Sequence, residues 1–270
     1  MKLSISNLAW GTTPLNEVIP KLSDAGIQGI EIAPTAIWSN LDDISDLEIR
    51  EFKSYLNSHG LVVSGIQSLL YGHPEFQLFE RNCWSDMKKH LQNVFRIGGL
   101  LGADVAVFGS PKNRVRGKID TQTADQMAEI FFKQLIPSLT ENGIVLTLEP
   151  NAPDYGADYL TTYEDIVSLS SSIKSENVMP QIDTGCLWMV GTNPEHAYSF
   201  YKPHHIHLSV PKLEQVPGNF EFDSFMELLH STNYDGWLVI EMLPSKSHHM
   251  VELFDTITWL SKSQERYRNA

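Results

Sequence analysis

Four short stretches end in side chains that can hold a cation or move a proton: Thr147-Leu148-Glu149, Gln181-Ile182-Asp183, His205-Ile206-His207 and Val239-Ile240-Glu241. Each closes a run of apolar or β-branched residues of the kind that forms a strand. Side chains alternate between the two faces of a strand. Glu149 therefore shares a face with Thr147, Asp183 with Gln181, His207 with His205, and Glu241 with Val239 and Trp237. If those faces converge, three carboxylates and one imidazole meet. Burying three carboxylates together costs on the order of several kcal/mol per ion, or forces them to take up protons. A divalent cation removes that cost. An oxygen-rich set with one imidazole and no thiolate suits one Mn²⁺, Mg²⁺, Co²⁺ or Zn²⁺ ion. Taken singly, a strand-end acid often just caps the next helix or pairs with a base, and His205 is expected to pack in the interior. Recurrence at four consecutive strand ends is what points to a metal site.

Further polar side chains fall where they could meet a ligand. The third strand ends at Gln67, and His73 follows in its loop. The fourth runs into Phe108-Gly109-Ser110-Pro111-Lys112-Asn113-Arg114-Val115-Arg116. Ser110, Lys112 and Arg114 offer the hydroxyl and cationic donors that a phosphate or carboxylate would need; the alternative is a solvated loop whose cations pair with surface acids. Glu31 at the end of the second strand and Asn151, two residues after Glu149, are also expected to reach a substrate, or else to serve the local structure. Trp10, Trp38 and Trp188 could pack on the apolar face of a ligand or fill the core.

Positioning these groups requires strands that all end on one side. Eight apolar runs qualify: Leu3–Leu8, Gly29–Ile32, Leu61–Gln67, Asp104–Phe108, Ile144–Glu149, Val178–Asp183, His204–Ser209 and Trp237–Glu241. Helical spacing of apolar residues lies between them, over Leu15–Ala25, Ile49–His59, Trp84–Leu101, Thr123–Asn142, Thr162–Ile173, Asn193–Tyr201, Phe222–His230 and Lys246–Ser261. Gly26, Gly60, Gly102 and Gly143 each follow a helical pattern, as helix-closing residues do. Strand and helix alternate through the whole chain, with no linker and neither a GxGxxG nor a GxxxxGK[ST] loop. This predicts an α/β fold, a single (β/α)8 TIM barrel over residues 1–270, with its active site at the C-terminal ends of the strands.

Composition agrees. The chain has 270 residues, 42% hydrophobic and 20% charged, and its 20 basic against 33 acidic residues give a net charge of −13. Such a surface repels a phosphodiester backbone and anionic lipid, which argues against nucleic acid and membrane as partners. The N-terminus lacks the apolar stretch of a signal peptide, so a cytoplasmic protein is expected. Cys83 and Cys186 form no CxxC and suggest neither a disulfide framework nor a thiolate zinc site.

Glu149 in Leu148-Glu149-Pro150-Asn151, Asp183 in Ile182-Asp183-Thr184-Gly185, His207 in His205-Ile206-His207-Leu208-Ser209 and Glu241 in Gly236-Trp237-Leu238-Val239-Ile240-Glu241-Met242 resemble the metal-binding quartet of the sugar phosphate isomerase/epimerase superfamily, the xylose isomerase-like TIM barrels. The resemblance runs from Gly29-Ile30-Glu31-Ile32-Ala33-Pro34 to Glu241. It implies a metal-dependent isomerase or epimerase that moves a proton next to the carbonyl of a sugar, polyol or sugar derivative through an enediolate. Glu149 and Glu241 would be both ligands and the acid/base pair; Asp183 and His207 would complete the coordination. The superfamily also contains a dehydratase branch, so a lyase on the same site is the nearest alternative. A non-catalytic carbohydrate-binding barrel and an endonuclease IV-like DNA repair enzyme stand further off. In ketose 3-epimerases a histidine follows the metal-binding Asp by three residues and an arginine follows the metal-binding His by six. Cys186 and Leu213 stand there instead, which argues against a simple free-ketohexose epimerase. The expected partner is a small sugar or sugar derivative, with an anionic group allowed and homodimer formation allowed.

Overall fold

A computed structural model describes residues 1–268 other than 219 and 247. Eight strands, β1 (Lys2–Ser6), β2 (Gly29–Ile32), β3 (Val62–Ile66), β4 (Val105–Phe108), β5 (Val145–Leu148), β6 (Val178–Asp183), β7 (His205–Leu208) and β8 (Trp237–Ile240), pair in sequence order and close into a parallel barrel. Closure is made by β1 against β8, from Lys2 opposite Trp237 to Ile5 opposite Ile240. This is the expected TIM barrel: β2 to β8 lie inside or match their expected runs, and β1 starts one residue earlier, at Lys2, and ends at Ser6 rather than Leu8.

Among the described residues the helices are α1 (Leu15–Asp24), α2 (Asp46–Ser58), α3 (Trp84–Leu101), α4 (Thr121–Lys133), α5 (Ile136–Asn142), α6 (Tyr163–Ile173), α7 (Thr184–Met189), α8 (Pro194–Phe200), α9 (Asp223–Ser231) and α10 (His249–Arg268). Their ends follow local chemistry. Ser45 and Glu48 form a capping box at the start of α2, and Thr162 and Asp165 form one at the start of α6. α3 and α5 close on Gly102 and Gly143 in the left-handed conformation, at φ 81° and 66°.

Two expectations need correction. The helix read over Thr123–Asn142 is broken between α4 and α5, because Pro137 has no N–H and its ring excludes the carbonyl of Lys133, four residues earlier. α7 has no counterpart in the sequence periodicity: it is short, and starts where Asp183 accepts a hydrogen bond from the Cys186 amide at 2.6 Å. Position 247 of the helix expected over Lys246–Ser261 lies outside the described residues, and α10 runs on to Arg268.

Strand side chains pointing to the helices, among them Leu146, Leu148, Ile182, Ile206, Leu208 and Ile240, are fully buried and join the apolar core. The inward layer is unusually polar for a barrel, in which branched apolar residues dominate. Ser4 and Ser64 share a hydrogen bond at 2.6 Å, Thr147 donates to Gln181 at 2.6 Å, and Glu31 bonds His205 at 2.7 Å, all buried. Such a layer is stable only when its groups are paired, and the pairing carries through to the mouth. Among the described residues no helix is long and apolar enough to cross a membrane.

Candidate metal centre

The register of the last four strands brings the quartet together. Asp183 sits opposite His207 in the β6/β7 pair, and His207 opposite Val239, two residues before Glu241. Glu149, Asp183, His207 and Glu241 each offer a ligand atom within 4.8 Å of the others. His207 Nδ1 is the hub: it lies 2.8 Å from Glu149 Oε1, 3.1 Å from Glu241 Oε2 and 3.9 Å from Asp183 Oδ2.

The electrostatics show a place short of positive charge. Burial, then the charges of Glu149 and Glu241, push the Asp183 carboxyl up to about 7. Burial favours a neutral His207, yet Glu31, Glu241 and Glu149 outweigh it and hold the imidazole well above its ordinary range. Protons are bound where a dication would neutralise the same charges. The donor set, three carboxylates and one imidazole, therefore fits a divalent ion on the chemistry of its ligands.

Every member of the quartet is held from behind. His207 Nε2 lies 2.8 Å from Glu31 Oε1, while Glu31 Oε2 bonds His205 Nε2. Burial would raise Glu31, but the two histidines hold it down at about 2, so it is a fixed anion. Gly65 makes room for it, since a Cβ there would lie 2.8 Å from Glu31 Oε2. Glu149 accepts from Gln181 Nε2 at 2.9 Å and Asn151 Nδ2 at 3.0 Å, and Glu241 accepts from Gln67 Nε2 at 3.0 Å. Ser209 donates to Asp183 Oδ2 at 2.8 Å. Asp183 thus caps α7 with one oxygen and keeps the other beside the quartet.

A cavity of about 320 Å³ opens over the quartet. Of the residues expected to contact a substrate, Gln67, Ser110 and Asn151 line it. The other expected ligand-binding residues lie elsewhere. Arg114 is fully buried and donates to the backbone carbonyls of Glu149 and Leu160 at 2.8 and 3.3 Å, so its guanidinium is spent inside the fold. This corrects its expected position at the mouth. Glu31 stands behind His207, out of the cavity's lining. His73 and Lys112 line a neighbouring cleft. Trp10 is buried, Trp38 packs on Phe52, and Trp188 stacks on Phe220; none lines the cavity.

Sequence reading assigns no site role to Gln181, to Ser209 or to Tyr155, which lines the cavity and accepts from the Lys212 amide at 2.7 Å. For Gln181 the signal is present, since it shares the inward face of β6 with Asp183. Ser209 and Tyr155 come from loops, whose reach no periodicity reports. Cys186 and Leu213 both line the cavity. Burial, then the charges of Asp183 and Glu149, push the Cys186 thiol up, which favours its neutral form.

The family profile described as xylose isomerase-like TIM barrel matches residues 19–268. The chain belongs to that family. Among solved structures it is similar to D-psicose 3-epimerase with D-tagatose from Clostridium cellulolyticum H10, at 16% identity and a TM-score of 0.79, covering 98% of this chain and 99% of that one. It is similar to 3-keto-D-glucoside 4-epimerase from E. coli, at 17% identity and a TM-score of 0.76, covering 97% and 99%. It is also similar to a probable 3-DHS dehydratase from Bacillus anthracis, at 12% identity and a TM-score of 0.74, covering 97% and 99%. Identities this low show the shared fold alone. No curated protein matches the chain.

Proposed function

We propose that the protein is a divalent-metal-dependent isomerase or epimerase that moves a proton at the carbon next to the carbonyl of a sugar or sugar derivative. The observation that carries this reading is the convergence of Glu149, Asp183, His207 and Glu241 under a cavity open to small molecules. A divalent ion, when bound, supplies Lewis-acid polarisation of the substrate's carbonyl. Glu149 and Glu241 come from separate strand ends, and both line the cavity. One removes the proton and the other returns it. The amides of Asn151, Gln181 and Gln67 hold those carboxylates in place, which preserves the geometry that proton transfer demands. The similar structures, two of them sugar epimerases, support this class.

The test is metal analysis of the purified protein, then incubation of the metal-loaded protein in heavy water with a panel of keto-sugars. Deuterium is expected at the carbon beside the carbonyl, and Glu149→Gln or Glu241→Gln removes it. Exchange that persists undiminished in both variants overturns the reading. A dehydratase would instead form an enone, visible as new ultraviolet absorbance.

A further inference from the structure

The catalytic cavity does not end above the quartet. A second cleft of about 410 Å³ adjoins it between the loops that follow β3 and β4, and Ser68, Ser110 and Pro111 line both spaces. Ser68 and Ser110 are non-glycine residues in the left-handed backbone region, at φ 57° and 46°. Conformations of that kind persist where surrounding structure holds them, and they gather at ligand clamps. Neither serine hydroxyl is hydrogen-bonded among the described residues, so each has its donor and acceptor capacity free at the boundary.

The cleft is built rather than incidental. The buried Asn113 side chain donates to the carbonyls of His73 at 2.8 Å and Phe76 at 2.7 Å, tying the two loops together. The Leu78 amide donates to the Asn113 carbonyl at 2.8 Å, and Gln77 Nε2 donates to the Lys112 carbonyl at 3.2 Å. Tyr71 at the rim is 72% exposed, a large ring left in solvent beside the rings of Pro74 and Pro111. An exposed aromatic ring near two unpartnered serine hydroxyls suits a pyranose or furanose ring.

Charge decides against an anion. Of the basic side chains in the loop after β4, only Lys112 lines the cleft. Arg114 is buried against carbonyls, and Arg116 donates to the carbonyls of Asp158 and Ile119. His73 shares Nδ1 with the Glu75 carboxylate at 2.8 Å. A lone exposed ammonium is a poor phosphate clamp, which calls for clustered or bidentate donors.

We propose that the cleft beyond Ser68 and Ser110 is a subsite for an uncharged glycosyl substituent, so that the substrate is a glycosylated keto-sugar rather than a free monosaccharide. The proposal rests on the proton-transfer reading for the reacting unit, and its test separates the two. The Mn²⁺-loaded protein is titrated by calorimetry with isomaltulose, D-fructose and D-fructose 6-phosphate, in the wild type and in Tyr71→Ala; deuterium uptake is followed in parallel. Isomaltulose is expected to bind at least tenfold more tightly than either fructose compound. Tyr71→Ala is expected to lower the affinity for isomaltulose at least fivefold more than that for D-fructose. Equal binding, tighter binding of the phosphate, or an equal effect of Tyr71→Ala on both sugars overturns the subsite. Deuterium uptake without a binding preference leaves the proton-transfer reading standing and removes the subsite. Tight, Tyr71-dependent binding of isomaltulose without deuterium uptake does the reverse.

Discussion

His207 presents one ring nitrogen to three carboxylates and the other to the buried Glu31, whose Oε1 lies 2.8 Å from Nε2. With Nε2–H donated to Glu31, Nδ1 carries the lone pair that a metal needs, so the tautomer is chosen by a residue outside the quartet. Glu31 is held in turn by His205, and the three form one buried line through the barrel.

Replacing Glu31 by Gln keeps the volume and removes the charge. Loss of such a partner weakens metal binding by about 10–100-fold. Competition against a chromophoric chelator measures this, with circular dichroism confirming the fold. Unchanged affinity would show that Glu31 does not orient His207.

Protons and metal compete for the same atoms, so affinity for the ion is expected to fall as pH drops below about 7, where Asp183 takes up its proton. Stability of the metal-free protein runs the other way. Asp183 binds its proton more tightly folded than unfolded, so its contribution is lost as pH rises from about 4 to about 7. His207, also raised, adds a loss that sets in above its ordinary range. Glu31, held down at about 2, contributes stability that is lost as pH falls below about 4.5. Thermal melts of the metal-free protein should therefore peak between about pH 4 and 5, and saturating Mn²⁺ should lift the neutral side. A metal-free melting temperature that climbs from about pH 5 to 7 contradicts this assignment.

Gly109 carries no side chain because Glu149 occupies the space: a Cβ there would run into Glu149 Oε2. Gly109→Ala must displace that carboxylate, which is pinned by Asn151 and Gln181, or shift the end of β4. Metal affinity should drop by about tenfold or more while the far-ultraviolet dichroism is kept. Wild-type affinity would mean that the loop moves freely.

Arg114→Ala leaves the Glu149 and Leu160 carbonyls without their donor and opens a cavity in the core. The expected cost is about 3 kcal/mol of unfolding free energy, read from urea denaturation. A change below about 0.5 kcal/mol, the range of ordinary surface substitutions, would return Arg114 to the surface role its sequence context suggests.

Strand alternation alone places Thr147 with Glu149, Gln181 with Asp183 and His205 with His207, and eight such runs separated by helical spacing specify the barrel. These are local regularities: a strand's period of two and a helix's period of about 3.6 are properties of neighbouring residues in the chain. The candidate metal ligands are legible for the same reason, because position at a strand end follows from where the apolar run stops.

Loop side chains obey no such period, and only the folded chain decides them. Arg114 and Lys112 are two residues apart, yet one is fully buried against carbonyls and the other lines an open cleft. Glu31 reads equally as a substrate contact or a structural group until the curvature of the barrel sets it behind His207, 176 residues away in sequence. The chain's own pattern determined which groups could reach the mouth; the distances across the closed barrel, set by strand register and packing, determined which of them meet.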